Sequence, residues 1–226
     1  MLKKKQTPTK IEKDWFSFSI PLSTIASHDY IALRLLYYIE PATTAFAILS
    51  KMLDVAEKSL KLFVTVMEKS PTALSAARED YGHNIQKLCA QAAIHNKAFN
   101  DPDVLAFSAD LNDKSGKLYQ FIRYGSETTS EEYSAKPRLI LPVIDKIFFE
   151  SLIGLPAHNR RLFVLSSPIA LLVNASPADQ TRNPALVIEA LRHSNAYFDL
   201  FSKIASEFDA EYKKMIDPSV ATSRQA

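Results

Sequence analysis

Apolar residues along this chain recur mostly at intervals of three and four, the spacing that lines one face of an α-helix. The clearest stripe is Phe46, Leu49, Leu53, Ala56, Leu60, Phe63, Val64 and Met67, with Pro41 standing where a first helical residue should. An earlier helix is expected to start at Ser27, as N-cap with Asp29 in the first turn, and to run through Ile31, Leu35 and Tyr38 to Glu40. Ser70-Pro71 breaks the main stripe, and Leu74 to Arg78 allows a turn or two. A further helix resumes at Asn84 with Ile85, Leu88, Cys89 and Ala92 on its buried side.

Asp101-Pro102 has the form of an N-cap followed by a first-turn proline. The helix it opens keeps Val104, Phe107, Leu111, Leu118, Phe121 and Ile122 in register as far as Gly125. The polar run from Gly125 to Lys136 is expected to be an exposed loop. Pro137 restarts an apolar helix through Ile140, Ile144, Ile147, Phe148 and Leu152, with Pro142 in its first two turns and Gly154 and Pro156 at its end. Residues 157–183 are the least legible. The runs Leu162 to Leu165 and Ile169 to Val173, around Ser166-Ser167-Pro168, fit a hairpin or two buried helical turns, because short apolar runs carry no decisive period. Pro184 then opens one long helix over 184–216, with Val187, Leu191, Phe198, Phe201, Ile204, Phe208, Tyr212 and Met215 as its stripe.

These elements imply an all-α bundle of about six helices: a basic arm at 1–20, a single helical domain at 21–217 and a disordered tail at 218–226. A chain of 226 residues, 47% hydrophobic, can bury a substantial core, and its four glycines argue against a turn-rich β-fold. Aromatic residues in helical register, among them Tyr37, Tyr38, Phe148, Phe149, Phe198 and Phe201, are therefore expected to be core. A net charge of +2 sets up no global field for nucleic acid, so such contact would need a local patch. The local candidates are Lys3, Lys4 and Lys5, with Lys10 and Lys13 after them, and Arg160-Arg161 beside His158. The one cysteine, Cys89, excludes an intrachain disulfide and suits a reducing compartment, with cytoplasm as the expectation. The lysine-rich start leads into Trp15, Phe16, Phe18 and Ile20 alternating with polar residues, unlike a signal peptide. The stretch Leu162 to Val173 is too short for a bilayer core of about 30 Å, and no membrane span is expected.

Motifs for phosphate loops, paired Cys-x-x-Cys, His-Glu-x-x-His helices and Gly-x-Ser-x-Gly elbows are missing. The histidines His28, His83, His95, His158 and His193 share no three- or four-residue spacing, so neither a metal nor a cofactor is expected.

One constellation remains: Arg78-Glu79-Asp80-Tyr81-Gly82-His83, then Asn84-Ile85-Gln86-Lys87-Leu88, following a helix that holds Glu57-Lys58-Ser59-Leu60-Lys61-Leu62. It resembles the HEPN family, in which an amphipathic helix with a lysine-rich last turn leads by a short connector into a Gly-His-Asn/Asp-aliphatic helix start. Phe121-Ile122-Arg123-Tyr124-Gly125 is similar to the aromatic-basic end of a later helix in that family. The likeness covers roughly 41–125 and implies a HEPN-like core at about 28–155 with a C-terminal extension, and a symmetric homodimer formed through long apolar helices.

Many HEPN members are metal-independent ribonucleases that pair an arginine with a histidine, and the resemblance places those roles on Arg78 and His83. The histidine would move a proton near neutral pH and the guanidinium would hold the phosphate. Here, however, Glu79 follows the arginine, Gly82 precedes the histidine, and Glu79 and Asp80 would oppose a phosphate. The leading expectation is therefore a non-catalytic module for a protein, RNA or nucleotide partner, of the kind that serves bacterial stress or defence systems. An Arg-x4-His endoribonuclease and a structural interaction domain outside the HEPN family stand as alternatives.

Overall fold

The computed structural model describes residues 10–41, 44–68, 83–111, 117–124, 136–175 and 184–216. Among the described residues the secondary structure is entirely helical: ten α-helices and one 3-10 turn. They are α1 (Lys10–Ile39), α2 (Ala45–Glu68), α3 (Ile85–His95), α4 (Pro102–Asp110), α5 (Lys117–Tyr124), α6 (Lys136–Ile153), α7 (Ala157–Leu165), α8 (Pro168–Asn174), α9 (Pro184–Arg192) and α10 (Phe198–Ile216), with the 3-10 turn at Lys97–Asn100. The all-α class is as expected. The count exceeds about six because the least legible region holds α7 and α8, and because two expected helices are each interrupted.

α1 begins at Lys10, well before the expected start at Ser27, and takes up part of the expected basic arm. Ser27 is an interior residue. With Ser19, Ser23 and Ala26 it forms a buried face of small side chains that lets neighbouring helices approach closely. α1 packs along α2 after a short turn, and α2 in turn lies against α3 and α6, which makes α2 and α6 the centre of the fold. The stripe on α2 is buried from Leu49 to Val64 as its spacing predicts, while Met67 at its end is partly buried and Phe46 near its start is exposed, 5.9 Å from the Phe121 ring in an edge-on contact. Asp29 on α1 receives Lys51 at 2.6 Å and Lys58 as well, tying α1 to α2. Burial pushes the Asp29 carboxyl up, but the two lysine hydrogen bonds outweigh it and leave it below its ordinary value.

Two of the expected starts, at Asn84 and Asp101, fall where the sequence puts them, whereas Ser27 caps nothing and the helix expected to begin at Pro41 begins at Ala45. Asn84 closes the first turn of α3 by accepting from the Lys87 N–H at 2.9 Å. Asp101 does the same for α4 from Asp103 at 3.0 Å, and its other oxygen takes Lys146 of α6 at 2.5 Å. Ser167 caps α8 through the Ile169 N–H at 3.2 Å, with Pro168 in the first turn. The hairpin alternative for this region is thereby excluded. Gly154 ends α6 where a Cβ would come within 2.5 Å of both the Asn96 side-chain nitrogen and the Glu150 carbonyl.

The expected helix over 184–216 is two helices, and the cause lies elsewhere in the chain. Arg34 of α1 is 1% exposed and reaches across to the end of α9. Its Nε donates to the Ala190 carbonyl at 3.2 Å and its Nη2 to the carbonyls of Leu191, at 3.4 Å, and His193. These oxygens would otherwise continue the helix or lie unsatisfied. Ser194 then turns the chain through left-handed conformation at φ 52°, and Asn195 restarts it by accepting from the Tyr197 N–H at 3.1 Å.

The charge on Arg34 is met by Asp145 of α6, with Nη1 3.1 and 3.3 Å from its two oxygens. Tyr30 donates to the same carboxylate at 2.5 Å and accepts from Asn195 at 2.9 Å. The Tyr30 ring stacks on Phe148 at 4.1 Å and meets Phe149 edge-on, and Phe149 packs on Phe201 of α10 at 5.2 Å. A buried ion pair set in an aromatic core therefore joins α1, α6, α9 and α10. Burial holds the Tyr30 phenol well above its ordinary value, so it stays a donor.

Removing one partner of a buried pair leaves an uncompensated charge, so Asp145→Asn and Arg34→Met are each expected to cost about 3–5 kcal/mol in chemical denaturation. The double variant Arg34→Met/Asp145→Leu is expected to lose less than the sum of the two. Burial, against the pull of Arg34 and Tyr30, raises the Asp145 carboxyl from 3.8 to about 6. The folded state thus keeps this proton to higher pH than the unfolded chain. The contribution is fully present below the unfolded value and is lost as pH rises through about 6. Within that window it amounts to on the order of 1 kcal/mol per pH unit. Carboxyl-carbon NMR of the folded protein should show Asp145 titrating near 6, with the carboxylate ionised at neutral pH.

Candidate functional site

His83 stands one residue ahead of the Asn84 cap, so the start of α3 fixes its backbone while its side chain remains 59% exposed. Its Nδ1 lies 2.7 Å from Glu57 Oε2 on α2. The other Glu57 oxygen accepts from Lys61, one turn further along α2, at 2.8 Å. Glu57 and Lys61 are both largely buried, their side chains 12% and 13% exposed, so this cluster is shielded on the helix side and open at the imidazole.

The geometry assigns protons. A carboxylate only accepts, so Nδ1 is the protonated nitrogen, and in the neutral ring Nε2 carries the lone pair. A carboxylate that fixes one face of an imidazole and leaves the other nitrogen to solvent is an arrangement able to take up or deliver a proton. The same contact also straps α2 to α3, a role it shares with Glu68, which accepts from Gln91 at 2.6 Å and lies 3.8 Å from His95.

The two lysines of the Glu57 to Leu62 stretch point to different neighbours: Lys58 to Asp29 on α1, Lys61 to Glu57. Each is matched to a carboxylate within the fold. Arg78 lies outside the described residues, as do Lys3, Lys4 and Lys5, so the structure describes only the histidine of the Arg78–His83 pair. The expected loop between Gly125 and Lys136 and the expected tail also lie outside them. The structure uses Arg160 and Arg161 within the chain: Arg160 donates to the Leu155 carbonyl at 3.1 Å, and Arg161 pairs with Glu211 of α10 at 3.1 Å, over the Phe208 ring. His158 beside them is exposed.

Cys89 is buried on α3 and its thiol is pushed up to about 12, first by burial, so it is a packing residue and not a nucleophile. Among the described residues no group of three or more His, Cys, Asp or Glu side chains is placed to share a metal ion. None of the described helices is long and apolar enough to cross a membrane.

Sequence reasoning found His83 but missed Glu57 as its partner, although Glu57 and Lys61 at four-residue spacing on an amphipathic helix mark a polar spot beside a buried stripe. It also missed Arg34 and Asp145. For Arg34 the signal was present, a lone charge inside the apolar run Ile31-Ala32-Leu33-Arg34-Leu35-Leu36, whereas Asp145 stands beside Lys146 in Val143-Ile144-Asp145-Lys146-Ile147 and reads as half of an ordinary surface pair.

No family model, curated protein or solved structure matches this chain.

Replacing Glu57 by Leu takes away the acceptor that selects the Nδ1-protonated ring. Long-range ¹H–¹⁵N NMR of His83 should show predominantly the Nδ1–H tautomer in the wild type, and Glu57→Leu should shift the population toward Nε2–H. An unchanged tautomer ratio would mean that the Glu57 contact does not form in solution.

Proposed function

We propose that this chain is a non-catalytic interaction module with a HEPN-like core, of the kind that serves bacterial stress and defence systems. The observation that carries this reading is the Glu57–Lys61–His83 cluster, whose carboxylate has a partner at each oxygen. Its carboxylate is shared between a cation on its own helix and the imidazole that opens the next, so the Gly-His-Asn element acts as a strap between α2 and α3. The adjacent placement of the amphipathic helix and the Gly-His-Asn helix start, the two elements on which the family resemblance rests, supports the same reading. The resemblance implies a homodimer, which sedimentation equilibrium reads directly, and a protein, RNA or nucleotide partner.

A second reading is favoured by one feature of the same cluster. With Nδ1 held by Glu57, Nε2 belongs to the exposed side of the ring, where it has the form of a general base. In a metal-independent endoribonuclease Nε2 would take the proton of a ribose 2′-hydroxyl. That oxygen would attack the adjacent phosphorus to close a 2′,3′-cyclic phosphate, the P–O5′ bond would break with the 5′-oxygen taking a proton from solvent water, and Arg78 would hold the phosphate.

The two readings separate in one assay. Purified protein is incubated with structured and unstructured RNAs in EDTA, alongside His83→Ala, Arg78→Ala and Glu57→Gln variants whose helical circular dichroism matches the wild type. The interaction module is expected to leave every RNA intact, with His83→Ala and Glu57→Gln changing only thermal stability, by about 1 kcal/mol. Cleavage by the wild type that disappears in both His83→Ala and Arg78→Ala would overturn it in favour of the nuclease.

A further inference from the structure

On the far side of α6 from the buried ion pair, α4 and α6 enclose an open groove of about 530 Å³. Asp103, Phe107 and Asp110 line one wall, and Leu139, Ile140 and Val143 line the other. Asp103, Phe107 and Asp110 are four and three residues apart, and Val143 stands four and three residues after Leu139 and Ile140, so the walls are two helix faces side by side with an apolar floor between them. Leu139 is 73% exposed, so the wall formed by α6 presents aliphatic surface to solvent.

The charge on this groove is one-sided. Asp103 stands in the first turn of α4 and Asp110 is its last residue. A carboxylate at a helix C-terminus adds to the negative end of the helix dipole, where a cation would be favoured. Among the described residues neither carboxylate has an ion-pair partner, in contrast to Asp101 just before them, which holds Lys146. Lys136 lines the opposite wall, so the acidic character belongs to α4.

We propose that the groove between α4 and α6 docks an amphipathic helical segment of a partner protein that carries two basic side chains two turns apart. Seven residues of helix rise about 10 Å, and a helix lying along α4 has the same rise. Basic residues seven apart in its sequence therefore reach Asp103 and Asp110 together, and aliphatic residues at the intervening three- and four-residue steps meet Phe107, Leu139 and Ile140. The inference stands apart from the HEPN-like reading, since α6 lies beyond the part of the chain that carries that resemblance.

The full chain, immobilised, is panned with a displayed library of randomised peptides of about 16 residues, roughly four helical turns. Recovered peptides are synthesised and their affinities measured against the wild type, the double variant Asp103→Asn/Asp110→Asn, and Leu139→Ser. All three substitutions lie at surface positions, and thermal unfolding confirms that the variants are folded. The expected result is enrichment of Lys or Arg at seven-residue spacing around aliphatic residues. Affinity is expected to fall about tenfold or more in each variant and to weaken with added salt. Peptides that bind the variants as well as the wild type, or a selection without that basic pattern, would overturn the proposal. Self-association of the chain that is lost in the same variants would assign the groove to a second copy and would overturn it as well.

Discussion

The architecture depends on a guanidinium that has no access to water. Arg34 sits in the C-terminal part of the longest helix, and its fork of donors is divided between a carboxylate on α6 and three carbonyl oxygens at the end of α9. Burying a charge this completely is tolerable only if every donor is answered, and the answer comes from two elements far from α1 in sequence, α6 and the end of α9. α1 can neither rotate nor slide by a turn without leaving the charge unpaired, so the ion pair sets the register in which α6, α9 and α10 assemble around it. The surrounding Tyr30, Phe148, Phe149 and Phe201 rings supply the low-polarity setting that makes the pairing strict.

Features that act locally were legible in the sequence. Asn84 and Asp101 cap the helices beside them because a short polar side chain meets an orphan N–H within its own turn, and nothing distant needs to be known. The α2 stripe was legible for the same reason: its burial follows from spacing alone. The start of α1 was hidden because Ser27 has the chemistry of an N-cap but spends it on a buried contact with Ser167, 3.2 Å away. α7 and α8 were hidden because runs of four or five apolar residues carry no period, and only packing against α10 and α6 decides their state.

The candidate site divides along the same line. His83 could be picked out because Gly-His-Asn before an aliphatic helix start is a local pattern. Its partner could not, because Glu57 lies a helix and a connector away and faces it only after α2 and α3 have docked. Arg160 and Arg161 show the converse. Adjacent arginines in a polar stretch suggest a free positive patch, yet a carbonyl in the preceding turn and a glutamate on α10 take them into the fold.

The break between α9 and α10 deserves to be seen from the segment that bends. From residue 184 to 216 the apolar period runs on across His193 and Ser194, and no proline or glycine interrupts it. The instruction to stop comes from a side chain more than 150 positions earlier, through the hydrogen bonds Arg34 makes to Ala190 and Leu191. Cut away from α1, the same stretch would keep the Ser194 turn and the Asn195 cap but lose the donors that hold the Ala190, Leu191 and His193 carbonyls in the bend. The direction of the last helix is thus information held at residue 34, and it becomes available only when the two ends of the chain have met.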